Sequence, residues 1–279
     1  MWYNVCSQVL SETREILVTQ MIKSLVLLLA SLILNFQIAP DNPSPSPCTK
    51  SKLFKAQNIV AWSDPSAAGV FFYESGLAID ADGSPRAYHP TDRLGLDSLS
   101  HAGHRGNWWA LVTDDEKTSG NPVVQGAADP APGYFVSTTA LYDRTNTNPR
   151  DPRRYVDAEK IPYVVLHPKA LRYAKLGDFA TVINLKNQKV SAAIVADESA
   201  PNLPVGEASI ALAEALAIDS NPRHGGQAKK VVFVIYPGSG NGEPRKLQDI
   251  RASSNRLFAV WGGVNRLDAC LVSLAPASH

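Results

Sequence analysis

Cysteine is scarce: the 279 residues contain three, with no CxxC or Cys/His spacing around them. That excludes a disulfide scaffold and offers no zinc site. A surplus of either charge is also missing, with 27 Lys and Arg against 26 Asp and Glu. A protein that neutralises phosphates normally carries a basic excess, so no nucleic-acid partner is expected. The strongest apolar run, Leu25 to Leu34, is about ten residues, well short of the ~20 of a spanning helix. Internal repeats, a Gly-x-Ser-x-Gly nucleophile elbow and a Gly-Lys-Ser/Thr phosphate loop are absent as well. What remains is a chain 44% hydrophobic and 19% charged, ample for one globular core and unlike a disordered polymer.

The short apolar run follows Met21, Ile22 and Lys23 and gives way to Gln37, Ala39 and Pro40. This is the layout of a secretory signal peptide, with an uncleaved anchor as the alternative. Residues 1–20 lengthen the leading region unusually, so they read as an extension upstream of a true start at Met21. Residues 21–40 are then the signal, 41–54 a Pro/Ser-rich linker, and 55–279 one domain. The expected protein is secreted, extracellular and monomeric, with no stable membrane association after cleavage. Cys48 and Cys270 would remain in it. A bridge joining the two ends of the domain and two separate thiols are both compatible with so few cysteines.

From Lys55 onward, short runs rich in Val, Ile, Tyr, Phe and Trp alternate with Gly, Pro, Asn and Asp turns. Expected strands are 59–62, 70–73, 77–79, 108–113, 134–138, 163–166, 179–185, 190–196, 231–236 and 257–261. One helix is expected over 207–217, where Ile210, Ala213, Leu216 and Ala217 make an apolar stripe before Ser220-Asn221-Pro222. The fold class is therefore mainly β with a few helices (α+β), of a barrel-like kind.

Charge is neutral in sum but segregated. Between Glu74 and Glu116 lie eight acids against three bases, and between Asp197 and Glu214 four acids and no base. Arg223 to Arg266 holds eight bases and two acids. Removing residues 1–40 leaves the balance at +1, since two bases and two acids go together. If the acidic segments meet, they form a negative cleft that would focus a cationic substrate; solvated acidic loops are the plainer alternative.

Asp197 closes the apolar strand Ser191-Ala-Ala-Ile-Val-Ala-Asp197, where burial would raise its pKa as a general acid requires. Glu207 would sit in the first turn of the expected helix, whose dipole favours the ionised form suited to a general base. Two carboxyls pushed apart in pKa are the pattern of glycosidic acid/base catalysis. A turn-opening Asp and a dipole-complementing Glu would look the same in sequence. Asp80-Ala-Asp82-Gly83 shares the first half of a calcium loop but lacks its later ligands. Trp108-Trp109 beside Asp114-Asp115 offers aromatic faces near carboxylates, although neighbours on a strand face opposite ways and one Trp should be core. His89, His101 and His104 have no metal spacing and read as satisfied polar residues. Pro237-Gly-Ser-Gly240 reads as a turn.

Several stretches together resemble the fungal-type chitosanases of glycoside hydrolase family 75. They include Tyr73-Glu-Ser-Gly-Leu-Ala-Ile-Asp-Ala-Asp-Gly-Ser-Pro-Arg-Ala-Tyr-His-Pro90, Gly106-Asn-Trp-Trp-Ala-Leu-Val-Thr113 and Asp129-Pro-Ala-Pro-Gly-Tyr-Phe-Val-Ser-Thr-Thr139. Leu176-Gly-Asp-Phe-Ala180, Ile194-Val-Ala-Asp197, Gly206-Glu-Ala-Ser-Ile-Ala-Leu-Ala213 and Tyr236-Pro-Gly-Ser239 follow in the family's order. The resemblance implies a double-psi β-barrel-like core and a secreted enzyme that needs no cofactor. Its reaction would be endo-hydrolysis of β-1,4-glucosaminidic bonds of chitosan with inversion. The family's catalytic Asp and Glu fall on Asp197 and Glu207, with Glu198 and Glu214 as alternatives for the Glu. Asp80, Asp82, Asp114 and Asp178 are then expected to bind ammonium groups, and Trp108, Trp109 and Tyr134 to line the cleft. The chain departs from the family at Glu198-Ser-Ala-Pro201, where a Gly-Pro turn is expected after the Asp. Two other readings are a peptidoglycan-directed hydrolase or lytic transglycosylase on a related barrel, and a non-catalytic carbohydrate-binding module.

Overall fold

The computed structural model describes residues 48–272 apart from residue 68. The expected extension and signal peptide lie outside these residues, as does most of the linker. The linker ends earlier than expected: past Pro47 the alternating Lys-Leu-Phe-Lys pattern already forms a strand, β1 (Ser51–Ala56).

β1 pairs antiparallel with β2 (Ile59–Ser63), which leads into β3 (Phe71–Asp80). Two-residue strands β4 (Gly103–His104) and β5 (Asn107–Trp108) form a separate small hairpin. β6 (Tyr163–Leu166), β7 (Phe179–Asn184), β8 (Lys189–Glu198), β9 (Glu207–Ser209) and β10 (Gln227–Tyr236) complete the strands. Six of them close a ring in the order β3-β10-β7-β8-β6-β9, because β9 pairs with β6 on one side and with β3 on the other. β3–β9 and β6–β8 are parallel, and the other ring pairs are antiparallel. Closure leaves no free edge within the ring. The mainly β, barrel-cored α+β class expected from sequence is thus the observed one.

Alternate residues of the ring strands divide between two cores, as a two-residue side-chain period requires. One contains Phe71, Tyr73, Val182, Val195 and Phe233, together with Leu212 and Leu216 of α1 (Ile210–Ala215) and the turn after it. The other contains Phe72, Ile183, Ile194, Val232 and Val234. It is covered by Ile250 and Trp261 of α2 (Leu247–Trp261) and by Leu267 of α3 (Gly263–Val272). Each such buried apolar side chain contributes about 1.5–3 kcal/mol.

Two expectations fail here. Residues 257–261 are the last turn and a half of α2 instead of a strand. The Leu-Phe-Ala-Val-Trp run continues a helical stripe from Ile250 and Ser254, so tertiary packing overrides its β-type composition. Residues 108–113 and 134–138, expected as strands, are mostly irregular and are joined by the isolated bridge Leu111 to Ser137. No described helix is long and apolar enough to cross a membrane.

The C-terminal helices are fastened to the N-terminal strands by two buried links. Cys48 and Cys270 form a disulfide with a Cα separation of 4.9 Å, closing a loop of 222 residues. Four residues earlier, Arg266 donates from Nε and Nη2 to the two oxygens of Asp64, at 2.7 and 2.8 Å. Trp261 Nε1 and the Ser66 hydroxyl and amide also donate to that carboxylate. Burial alone would raise the Asp64 pKa, but these donors and the Arg266 charge hold it down at about 2. Its folded value lies below the ordinary 3.8, so its contribution is present above pH 4 and is lost as pH falls from about 4 toward 2. Asp64→Ala, which removes the carboxylate facing the buried guanidinium, should cost about 3–5 kcal/mol in urea unfolding at pH 7. The penalty should shrink markedly at pH 2.5; a loss of the same size at both pH values would show that the charge is not responsible.

Candidate active site

The chemistry-bearing residues gather where β3, β6, β8 and β9 meet. Asp80 ends β3, and the chain then turns sharply through Asp82 and Gly83. The Asp82 amide donates to Asp80 Oδ1 at 2.8 Å, so the first carboxylate builds the turn that presents the second. Gly83 has φ +76°, and a Cβ there would meet the Val156 carbonyl at 2.2 Å. Only glycine fits at that turn.

Asp197 follows a bulge. Val164 pairs with Val195 but Val165 pairs with Asp197, so Ala196 is the extra residue on β8. Bulges re-aim side chains at sheet ends. The Asp197 Oδ1 accepts from the amides of Ala140 (3.1 Å) and Glu198 (2.8 Å). Glu207 opens β9 and also pairs with Val165, from the other side. Asp197 and Glu207 therefore flank one residue of β6, two strand spacings or roughly 9–10 Å apart at Cα.

This corrects the expected helix over 207–217. Glu207-Ala-Ser209 is drawn into the ring by its two neighbours, and the helix starts only at Ile210. Ser209 is the cap, its hydroxyl accepting from the Leu212 amide at 3.2 Å. Glu207 thus has no helix dipole behind it. Gly206 precedes it with φ +101°, and a Cβ there would meet Ser75 Oγ at 2.2 Å and the Gly76 carbonyl at 2.3 Å. The close crossing of β9 over β3 depends on that missing side chain.

One oxygen each of Asp80, Asp82 and Asp197 lies within 4.8 Å of the others, a spacing at which carboxyls could share a proton or a cation. Among the described residues, none of these three, nor Glu207, forms an ion pair with Lys, Arg or His. Like charges that close, held out of water, cannot all ionise at once. Burial lifts the Asp80 pKa to about 6, against the pull of the Asp82 amide and the Tyr163 hydroxyl. Burial, then the charges of Asp80 and Asp97, lift Glu207 to about 8. Asp82 and Asp197 are also pushed well up, by burial first and by Asp80 second. The site holds protons in the pH range where ordinary carboxylates have lost them.

Sequence reasoning named four members of this cluster. Trp109 is 56% exposed, whereas Trp108 packs against the core, as the alternation rule expects. Tyr134 donates to the Leu94 carbonyl at 3.0 Å and stands edge-on to His89. Asp114 is not brought in: it is exposed and spends its carboxylate on the amide and side chain of Asn121. Asp178 is fully buried, its oxygens accepting from the amides of Lys175, Gly238 and Gly240. It holds two loops together and has no surface to offer an ammonium group. Glu198 and Glu214 are exposed and lie outside the cluster. Sequence reasoning missed the donors that hold the acids: Tyr88 to Asp82 (2.7 Å), Tyr163 to Asp80 (3.0 Å) and Ser137 to Asp82 (3.3 Å). It also missed Asp97. Isolated tyrosines give no local pattern that would reveal such a role.

A group whose folded pKa is raised favours the fold below its unfolded value and disfavours it as pH rises through the folded one. Glu207→Gln should therefore raise the melting temperature by several degrees at pH 8 and change it little at pH 4, as scanning calorimetry can measure. Equal shifts at both pH values would mean that Glu207 is not carrying a raised pKa.

Residues 130–264 match the family model described as fungal chitosanase of glycosyl hydrolase group 75. No curated protein matches the chain. The matched segment contains Asp197, Glu207, Asp178 and Tyr134, and with them β6 to β10. Asp197 and Glu207, on the two strands that flank β6 in a closed barrel, form the kind of carboxyl pair that glycosidic acid/base cleavage uses. Over residues 130–264 the chain resembles glycoside hydrolase family 75, and that match supports a glycosidase of the chitosanase type.

Proposed function

We propose that the protein is a secreted endo-chitosanase that cleaves β-1,4-glucosaminidic bonds with inversion, using Glu207 and Asp197 as its acid and base. The reading rests above all on the placement of these two carboxyls either side of Val165, within an acidic cluster that pairs with no cation among the described residues. A glucosamine chain brings the missing positive charges, and charge complementarity favours its approach.

The hydrogen-bond environments separate the roles. Nothing but burial and repulsion acts on Glu207, and both keep its proton on. It is the better donor to the departing glycosidic oxygen, which reverses the roles expected from a helix dipole. Asp197 has two backbone amides aimed at one oxygen, which stabilise the anion. Arrival of ammonium groups favours its ionised form further. The carboxylate then takes a proton from a water as that water's oxygen bonds to the anomeric carbon, while the glycosidic bond breaks and Glu207 protonates the leaving oxygen. Inverting enzymes keep their carboxyls about 6.5–9.5 Å apart to admit that water. Two strand spacings between the Cα atoms leave space for such a water between the two side chains.

The wild type should release glucosamine oligomers from chitosan, seen as new reducing ends. Asp197→Asn and Glu207→Gln should each lower kcat by about 100-fold or more, the usual scale of lost general acid or base catalysis. If Asp197→Asn keeps wild-type turnover, this assignment fails. If only Glu207→Gln is silent, a one-carboxyl mechanism of the lytic transglycosylase kind replaces it.

A further inference from the structure

Asp97 and His101 transfer no proton in the acid/base scheme, yet they form a dyad next to it. Asp97 is only 3% exposed, whereas the His101 ring stands largely in solvent. Both Asp97 oxygens lie 2.9 Å from His101 Nδ1, which makes Nδ1 the protonated nitrogen of the neutral ring. Its Nε2 then carries a lone pair, and no described residue bonds it. The dyad is fixed from behind by Arg223, whose guanidinium donates to the carbonyls of Asp92, Gly95 and Asp97 and to the Ser98 hydroxyl. One cation thus clamps the whole loop from 92 to 98.

An exposed aromatic face adjoins the dyad. Trp109 Nε1 donates to the His101 carbonyl at 2.9 Å, and the Trp109 amide donates to the Ala102 carbonyl, so the indole is locked to this loop. His104 stands edge-on to the same ring. The next residue, Ala110, presents its carbonyl to Ser137 Oγ, which lies 3.3 Å from Asp82 Oδ1. The platform and the carboxyl cluster are therefore separated by a single backbone step and one hydroxyl. A buried carboxylate that orients an imidazole, next to a rigid exposed indole, is costly to build for structure alone. It suits a pyranose, which offers an apolar face to an aromatic ring and N–H or O–H donors at its edge.

We propose that His101, oriented by Asp97, forms with Trp109 a binding subsite for a glucosamine unit flanking the scissile bond. The sugar packs on the indole face, and its amino or hydroxyl group donates to His101 Nε2. This inference rests on the chitosanase reading and adds a sugar-binding position that the charge pattern alone does not give.

The test is steady-state kinetics of wild-type and variant proteins on a glucosamine hexamer, with folding checked by thermal melts. His101→Ala and Trp109→Ala should each raise KM by about five- to tenfold, the scale of one hydrogen bond or stacking contact, with kcat within about twofold. His101→Gln, which retains an acceptor, should recover most of the KM loss. An unchanged KM in folded His101→Ala, or a Gln variant no better than Ala, overturns the subsite while leaving the chitosanase reading intact. A fall in kcat alone also overturns it. A wild type that does not cleave the hexamer or chitosan overturns both.

Discussion

Four clustered carboxyl groups, Asp80 and Asp197 buried and Asp82 and Glu207 half-buried, with no Lys, Arg or His paired to them among the described residues, form the constraint on which the rest of the molecule depends. Isolated buried charge is expensive, so the groups respond by holding protons. Burial sets the direction of every shift, and mutual repulsion adds to it, because Asp80 acts on each of the other three. Hydrogen bonds then decide which member gives way first. Asp80, served by an amide and a tyrosine hydroxyl, is lifted only to about 6; Glu207, served by neither, is lifted to about 8. A set of carboxyls graded in this way supplies both a proton donor and a proton acceptor near neutral pH. The grading opposes folding at high pH, a local cost that activity imposes on the scaffold.

The remainder of the fold offsets that cost. Ring closure by the short β9 fixes Glu207 from two sides, and the bulge at Ala196 sets Asp197 at the point where β8 leaves its regular register. Neither would hold without rigid neighbours. The central strands are buried on both faces, with one core sealed by α1 and the other by α2 and α3. The Cys48–Cys270 bridge and the Asp64–Arg266 pair hold those last helices against the first strands. In a chain-entropy account a bridge closing so long a loop is worth about 5 kcal/mol.

Much of this was legible beforehand, for identifiable reasons. Tyr163–Leu166 and Phe179–Asn184 are near-continuous apolar runs between turn residues, and such runs specify strands with little ambiguity. The acidic stretches around Asp80 and Asp197 were visible as charge segregation, and the barrel brings them together. The failures are equally physical. Glu207-Ala-Ser209 is made of helix formers, but pairing with β3 and β6 outweighs that weak preference. Leu257 to Trp261 carries a strand-like composition that the helix absorbs in its buried stripe. Asp178 sits in a family-like motif, yet three backbone amides converge on it, which only the folded loops of 175–178 and 238–240 can arrange. The His101–Asp97 dyad was invisible for a related reason: an i,i+4 spacing reads as a helix pair, whereas here it spans a turn and a 3-10 helix.

The central claim is that Glu207 keeps its proton at neutral pH because burial and its acidic neighbours leave the anion unsupported. Carboxyl carbon NMR of protein labelled at glutamate, titrated from pH 3 to 10, measures this directly. The Glu207 resonance, assigned by its loss in Glu207→Gln, should titrate with a midpoint near 8. A midpoint in the ordinary glutamate range near 4.5 would contradict the account.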